Sequence, residues 1–184
     1  IIDYYIVQLF LSNTDWTYNN IKFWKAQKNG KWRWLFYDCD ECMSYEYYDA
    51  VGNFVNSVQY HQDFPEWSTF LLHQLLQNDD FNIQFRSRFE MLLNNDFANP
   101  RFFALADSLS ALYRPEVSEH ALRWSMPNDL MDWEESLKGL YSFASIRPSQ
   151  IRHLLQEYFG NPFVIYPNPA ENEVYINTDL STLN

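Results

Sequence analysis

Positive charge is scarce in this chain. Thirteen Lys and Arg stand against 24 Asp and Glu, a net charge of −11 over 184 residues. Proteins that hold a nucleic-acid backbone do so with clustered cations, and none cluster here, so a nucleic-acid partner is not expected. Cysteine is equally scarce: Cys39 and Cys42 form a lone C-x-x-C. A structural zinc site takes about four ligands, and His61, His73, His120 and His153 are too scattered to supply the rest. A redox pair would open a helix after a strand in a βαβ unit, a pattern not visible around these residues. Two small side chains without a shared role is the reading that fits. Long apolar runs are missing too. The stretch "YYIVQLFL" falls well short of the ~20 residues of a membrane span and contains a Gln, so no span is expected.

Aromatic residues are abundant, with 13 Tyr, 15 Phe and 7 Trp. Their commonest use is to fill a core, and an aromatic-lined groove is the alternative. A chain of this length fits one ordinary domain that buries about 70% of its unfolded surface. It starts at Ile1 inside an apolar run, without a Met or a signal sequence. It therefore reads as an internal part of a longer protein.

Residues 1–12 are apolar nearly all round and predict a buried helix. The alternating segments "IKFWKAQ" and "KWRWLFYD" follow, separated by "KNG". Asn-Gly between alternating runs is the strongest short hairpin signal, so a β-hairpin is expected over about 20–38. Residues 43–64 show no period and predict a long, partly ordered loop of the kind that can serve as a lid. From Pro65 the spacing turns helical. Trp67, Phe70, Leu71 and Leu75 form one stripe; Phe81, Phe85, Phe89 and Leu92 form another after a capping "NDD". Further helices are expected at 100–113, 115–124, 129–141 and 148–159, the last stopped by Gly160. Near residue 161 the pattern changes to "FVIYPNPAENEVYIN", a strand, a Pro-Asn-Pro turn and a second strand. The fold class is mainly α with a small β-hairpin, divided into domains at 1–160 and 161–184.

The chemistry concentrates in "NTDWTYNNIKFW", residues 13–24. Asp15 and Asn20 lie five apart, and Asp38 and Asp40 leave the far end of the hairpin that begins after Asn20. An antiparallel hairpin returns its second strand to where the first began, so Asp38 is delivered close to Asn20. Mg²⁺ is held by one or two carboxylates or amides plus substrate phosphates, and this set offers that many ligands. Phosphoryl transfer in protein kinases uses the same parts: an Asp that accepts the hydroxyl proton, an Asn on the metal, and a second Asp on the metal at the phosphates. The alternative is that Asn13, Asp15, Asn19 and Asn20 cap and turn the chain, while Asp38 and Asp40 end a strand.

These residues carry a resemblance. "NTDWTYNNIKFW" followed by "KWRWLFYDCD" resembles the core motif of the CotH kinase family, an atypical protein-kinase-like family. There an Asn-x-Asp segment, a pair of Asn and an aromatic strand lead to a second strand ending in Asp-x-Asp. Downstream, "NDDF", "RPEV", "RWSMP", Trp133 and "SIRPSQIR" resemble it as well, so the likeness covers about residues 1–160. It implies the C-terminal lobe of a protein-kinase-like α+β fold, using ATP and Mg²⁺ or Mn²⁺ to phosphorylate protein hydroxyls. It implies Asp15 as the catalytic base, Asn20 and Asp38 as ligands of metal and nucleotide, and Asp40 as a further metal ligand; Asn19 could exchange roles with Asn20. Family members usually follow Asp-x-Asp with Gly and Phe, whereas "DCDECMSYEY" has no Gly before Gly52. The nucleotide-covering lobe and its Lys would precede Ile1.

The tail resembles a second family. "VIYPNPAENEVYIN" is similar to the opening of the C-terminal sorting domain of cargo of the Bacteroidetes type IX secretion system, a small β-sandwich that begins at a Tyr-Pro-Asn-Pro turn. It implies export to the cell surface or the extracellular medium, the type IX machinery as a partner, and exported or surface proteins as substrates. Two functions from different classes follow. One is phosphoryl transfer from ATP to protein hydroxyls; the other is a catalytically weak surface module that binds partners through an acidic, aromatic face.

Overall fold

The computed structural model describes residues 1–56 and 67–160, together with the backbone of two strands at Val164–Tyr166 and Tyr175–Asn177. Helix α1 (Ile2–Phe10) is the central element, as its composition predicts. Tyr4, Tyr5, Ile6, Leu9 and Phe10 are buried in the main apolar cluster, and α1 packs on α3 (Asp79–Asn94) and α6 (Leu130–Phe159). Phe10 stacks on Phe97 and meets Phe143 edge-on. Phe85 and Phe89 close the same core from α3. A fully buried side chain of this size contributes ~1.5–3 kcal/mol, so these rings anchor the body on which the polar segment is mounted.

The helix α3 starts as its sequence predicts, with the Asn78 side chain accepting the Phe81 N–H and Asp79 and Asp80 in the first turn. Helix α2 (Trp67–Leu76) differs from expectation. Its buried position is Leu72, whereas Trp67 and Phe70 of the expected stripe are exposed. Helices α4 (Asn99–Tyr113) and α5 (Val117–Trp124), joined by a 3₁₀ turn at Arg114–Glu116, fall where predicted. The two helices expected at 129–141 and 148–159 are one continuous α6 that carries Pro148 inside it. Pro removes an intrahelical hydrogen bond and usually breaks a helix. Here Phe143, Ala144, Arg147, Pro148, Ile151 and Leu154 form one buried face that spans the proline, and packing along that face overrides the local preference.

The hairpin is present but shorter than its alternation suggests. Strands β1 (Lys22–Trp24) and β2 (Arg33–Leu35) pair antiparallel with Phe23 opposite Trp34. Asn29 takes a left-handed φ of 56°. A methyl group on Gly30 would collide with the Ala26 backbone, so the connection from 25 to 32 folds back on itself at the Asn-Gly step. The expected loop at 43–64 also contains more structure than its pattern shows. A π-helical turn at Gly52–Asn56 follows Ala50 and Val51, and Ala50, Val51 and Phe54 are fully buried. Residues 57–64 of that expected loop lie outside the described residues. Beyond α6, strands β3 (Val164–Tyr166) and β4 (Tyr175–Asn177) pair antiparallel. The Pro-Asn-Pro turn between them lies outside the described residues.

Candidate active site

The polar segment is built onto the C-terminal end of α1, where the last carbonyls of a helix need partners. Each has one. Val7 O and Gln8 O accept the N–H groups of Leu11 and Asn13, Leu9 O accepts that of Ser12, and Leu11 O accepts that of Met43. Arg147, fully buried in α6, supplies the remainder: its Nη2 donates to Leu9 O at 2.7 Å and its Nε to Phe10 O at 2.9 Å. Its Nη1 reaches across to Glu46 O and Tyr48 O. One guanidinium thus ties together the helix end that leads into the Asp15 segment and the chain that follows Asp38. Burial pulls Arg147 down to about 10, with Asp49 acting in the opposite direction. At neutral pH it keeps its charge, favourably placed at the negative end of α1.

Beyond α1 the chain turns at Ser12, which has φ 54°. A buried amide pair fixes the turn: Asn13 Nδ2 donates to Gln8 Oε1, and Asn13 Oδ1 accepts the Asp15 N–H. The Asn13 role is therefore the turn-forming one. Asp15 is held differently. Its Oδ2 accepts from Asn19 Nδ2 and Asn20 Nδ2, both at 2.9 Å, while Trp16 inserts edge-on among Tyr4, Tyr5 and Phe54. The half-buried carboxylate thus sits between an indole anchor and two amide donors. Because Asn20 donates through Nδ2, its Oδ1 faces away from Asp15.

Asn20 then enters β1 with φ 53°, and Asp38 leaves β2 with φ 57°. Non-glycine residues in the left-handed region are uncommon and gather at functional sites. The β1–β2 ladder ends at Lys22–Leu35, two residues after Asn20 and three before Asp38. Asp38 and Asp40 are exposed. Neither is hydrogen-bonded to Asp15, Asn19 or Asn20, so the structure joins Asp15 to the two amides and not to the two later carboxylates. Among the described residues no group of three or more His, Cys, Asp or Glu could hold a metal. A divalent ion at this place would draw on the Asn20 amide oxygen, Asp38 or Asp40, and phosphate oxygens, a hard all-oxygen set of the kind Mg²⁺ takes. Buried polar atoms without a hydrogen-bond partner among the described residues also gather on this segment: Gln8 Nε2, Ser12 Oγ, Trp16 Nε1 and Thr17 Oγ1. Such groups are rare in folded proteins and often mark functional regions.

Two features are not anticipated by the sequence, and a third was its second choice. Cys39 and Cys42, read as unrelated, form a disulfide with Cα atoms 5.1 Å apart. The pair does not open a helix after a strand; it closes a turn, with the Cys42 N–H on Cys39 O. Arg147 was visible as the one cation in the apolar stripe of α6, a signal that periodicity alone could have flagged. The aromatic groove, set second to core packing, is also present. Tyr4, Tyr5, Trp16, Phe23, Trp34 and Trp67 are among the residues lining an open hollow of about 430 Å³.

The body is mainly helical, and an Asp–Asn–Asn cluster sits at the foot of its short hairpin. The family model described as "CotH kinase protein" matches residues 1–151, and the chain belongs to the CotH kinase family. No curated protein and no solved structure matches it. Among the described residues no helix is long and apolar enough to cross a membrane.

Proposed function

We propose that the chain carries the metal-binding site of an ATP-dependent phosphotransferase that acts on protein hydroxyls. The observation that carries this reading is the pair of hydrogen bonds from Asn19 and Asn20 to Asp15 Oδ2. They leave the second carboxylate oxygen, Oδ1, to accept a proton from a substrate hydroxyl, and they aim the Asn20 carbonyl oxygen away from the base. Asp15 is the base or orienting group, and Asn20 and Asp38 hold Mg²⁺ or Mn²⁺ with the ATP phosphates, with Asp40 alongside. The metal, when bound, neutralises the charge that develops on the phosphates. The tail from 161 to 184 suggests export, which makes exported or surface proteins the substrates to try.

Radiolabel transfer from ATP to a pool of exported proteins tests this, with nucleotide binding followed by calorimetry. Removing a group of this kind costs ~10²–10⁴-fold in rate, so Asp15→Asn is expected to lose that much transfer and keep ATP. Asp38→Ala is expected to lose the metal-dependent part of ATP binding. Transfer by Asp15→Asn at the wild-type rate would remove Asp15 from the mechanism. The aromatic hollow, with Phe23, Trp32 and Trp67 exposed around it, favours a second reading as a catalytically weak binding module. Wild-type protein that binds ATP but labels nothing would make that reading the better one.

A further inference from the structure

The segment from Asp38 to Met43 takes a shape that its residues do not favour on their own. Asp38 and Met43 both have left-handed backbone, with φ 57° and 62°, and neither is glycine. For such residues that region carries a conformational cost. The Cys39–Cys42 disulfide lies between them, and the Cys42 N–H closes the same turn on Cys39 O. Asp40 is inside the ring, where its carboxylate accepts the Glu41 N–H. The far end is pinned by the Met43 N–H on Leu11 O, the last step of α1 before the turn that leads to Asp15. A disulfide closing so few residues removes little chain entropy compared with one closing a long loop. Its effect is local.

We infer that the Cys39–Cys42 disulfide is a reducible brace that fixes how Asp38 and Asp40 are presented, so that the site's affinity for a metal–nucleotide depends on thiol redox state. The inference rests on the phosphotransferase reading for the ligand but not for the brace. Cys39 is half-exposed and Cys42 is buried, which makes the Cys39 sulfur the one an external dithiol reaches. Its thiolate attacks Cys39 Sγ and forms a mixed disulfide, and Cys42 leaves as a thiolate and takes up a proton. The second thiol of the reductant then displaces Cys39. The reductant ends as a disulfide and the protein as two thiols, a transfer of two electrons and two protons. With the ring open, the backbone around Asp38 and Met43 relaxes toward ordinary φ values and the two carboxylates lose their fixed spacing.

The full 184-residue chain serves for the test, oxidised, reduced with dithiothreitol and desalted under anaerobic conditions, and as Cys39→Ser/Cys42→Ser. Mn²⁺–ATP affinity is measured by calorimetry, amide exchange by mass spectrometry over residues 36–44, and melting temperature in parallel. Loss of groups that orient metal ligands typically costs 10–100-fold in affinity. Reduced wild type and the double Ser variant should both bind 10–100-fold more weakly, with faster exchange confined to 36–44 and melting nearly unchanged. Reoxidation should restore wild-type affinity, and the Ser variant should ignore reductant. Reduced protein with both thiols free that binds as tightly as the oxidised form overturns the inference. If the oxidised form binds no metal–nucleotide, the phosphotransferase reading fails. Exchange then decides the brace: faster exchange at 36–44 on reduction supports it and unchanged exchange overturns it.

Discussion

Arg147 shows how far one side chain organises the site without touching it. Four hydrogen bonds to backbone carbonyls leave from one buried guanidinium, two to the end of α1 and two to the chain after Asp38. Arg147→Met keeps length and apolar stem but leaves buried carbonyls unpaired, at ~1–3 kcal/mol each where no other donor reaches them. Leu9 O retains the Ser12 N–H and Tyr48 O the Ala50 N–H, so Phe10 O and Glu46 O are the two left without a donor among the described residues, and the expected loss of stability is ~2–6 kcal/mol. Arg147→Lys should fall between, since an ammonium lacks the planar fork that spans acceptors on two segments. Urea denaturation measures both, and a Met variant within about 1 kcal/mol of wild type would contradict the account. At this scale the expected approach of Asp38 to Asn20 is matched by no hydrogen bond, since the strand ladder stops at Lys22–Leu35. The nearness of Asp15 and Asn20 was legible from their spacing, and the two are hydrogen-bonded. The Arg147 and Cys39–Cys42 links were not legible, because their meaning depends on which distant carbonyl or sulfur the fold brings near.

Among the elements, the hairpin was read best by its turn and worst by its length. Asn29-Gly30 marks the reversal, and the alternation around it continues for about seven residues on each side. Yet the ladder closes over Lys22–Trp24 and Arg33–Leu35 alone. Both strands are largely exposed, so burial does not enforce pairing along the whole alternating run. Phe23 contacts Trp32 and Trp34, and Lys22 and Lys25 sit over Tyr37 and Trp32; side-chain pairing holds the ribbon. Gly30→Ala should therefore act locally. Overpacking against a backbone costs ~1–3 kcal/mol, and here it should appear as faster amide exchange over 22–35 with little change in α3. Uniform destabilisation of the whole chain would show that the connection is part of the core. The joining of two expected helices into α6 has the opposite cause, since Pro148 is a true local signal that a long buried face outweighs.

At the scale of the whole molecule, the last turn of α6 is tied back to the segment that follows the site. Tyr158 donates its hydroxyl to Asp49 Oδ2, while Asp49 Oδ1 accepts the Gly52 N–H that begins the π-turn. The space is tight enough that a methyl on Gly52 would strike both the Asp49 carboxylate and the Tyr158 hydroxyl. The bond to Asp49 pushes the Tyr158 phenol up to about 12, and burial pushes Tyr48 up to about 12 as well. Both start from 10.0 in the unfolded chain. A phenol whose folded pKa is raised contributes stability that is fully present below pH 10 and is lost as pH rises through 12. The folded protein should therefore lose stability across this window, with Tyr158 responsible for a separable part. Tyr158→Phe removes the titrating group together with the Asp49 bond. It should start less stable at neutral pH and fall less steeply between pH 10 and 12, so the two stability curves converge. Arg147, lowered by burial, changes the slope with the opposite sign but is common to both proteins and drops out of the difference. Denaturant midpoints for wild type and variant at pH 8, 10, 11 and 12 make the comparison. Parallel curves, with the variant lower by a constant amount, would mean that the phenol is not held in its neutral form by Asp49. The α6-to-Asp49 tie would then be a contact of shape alone.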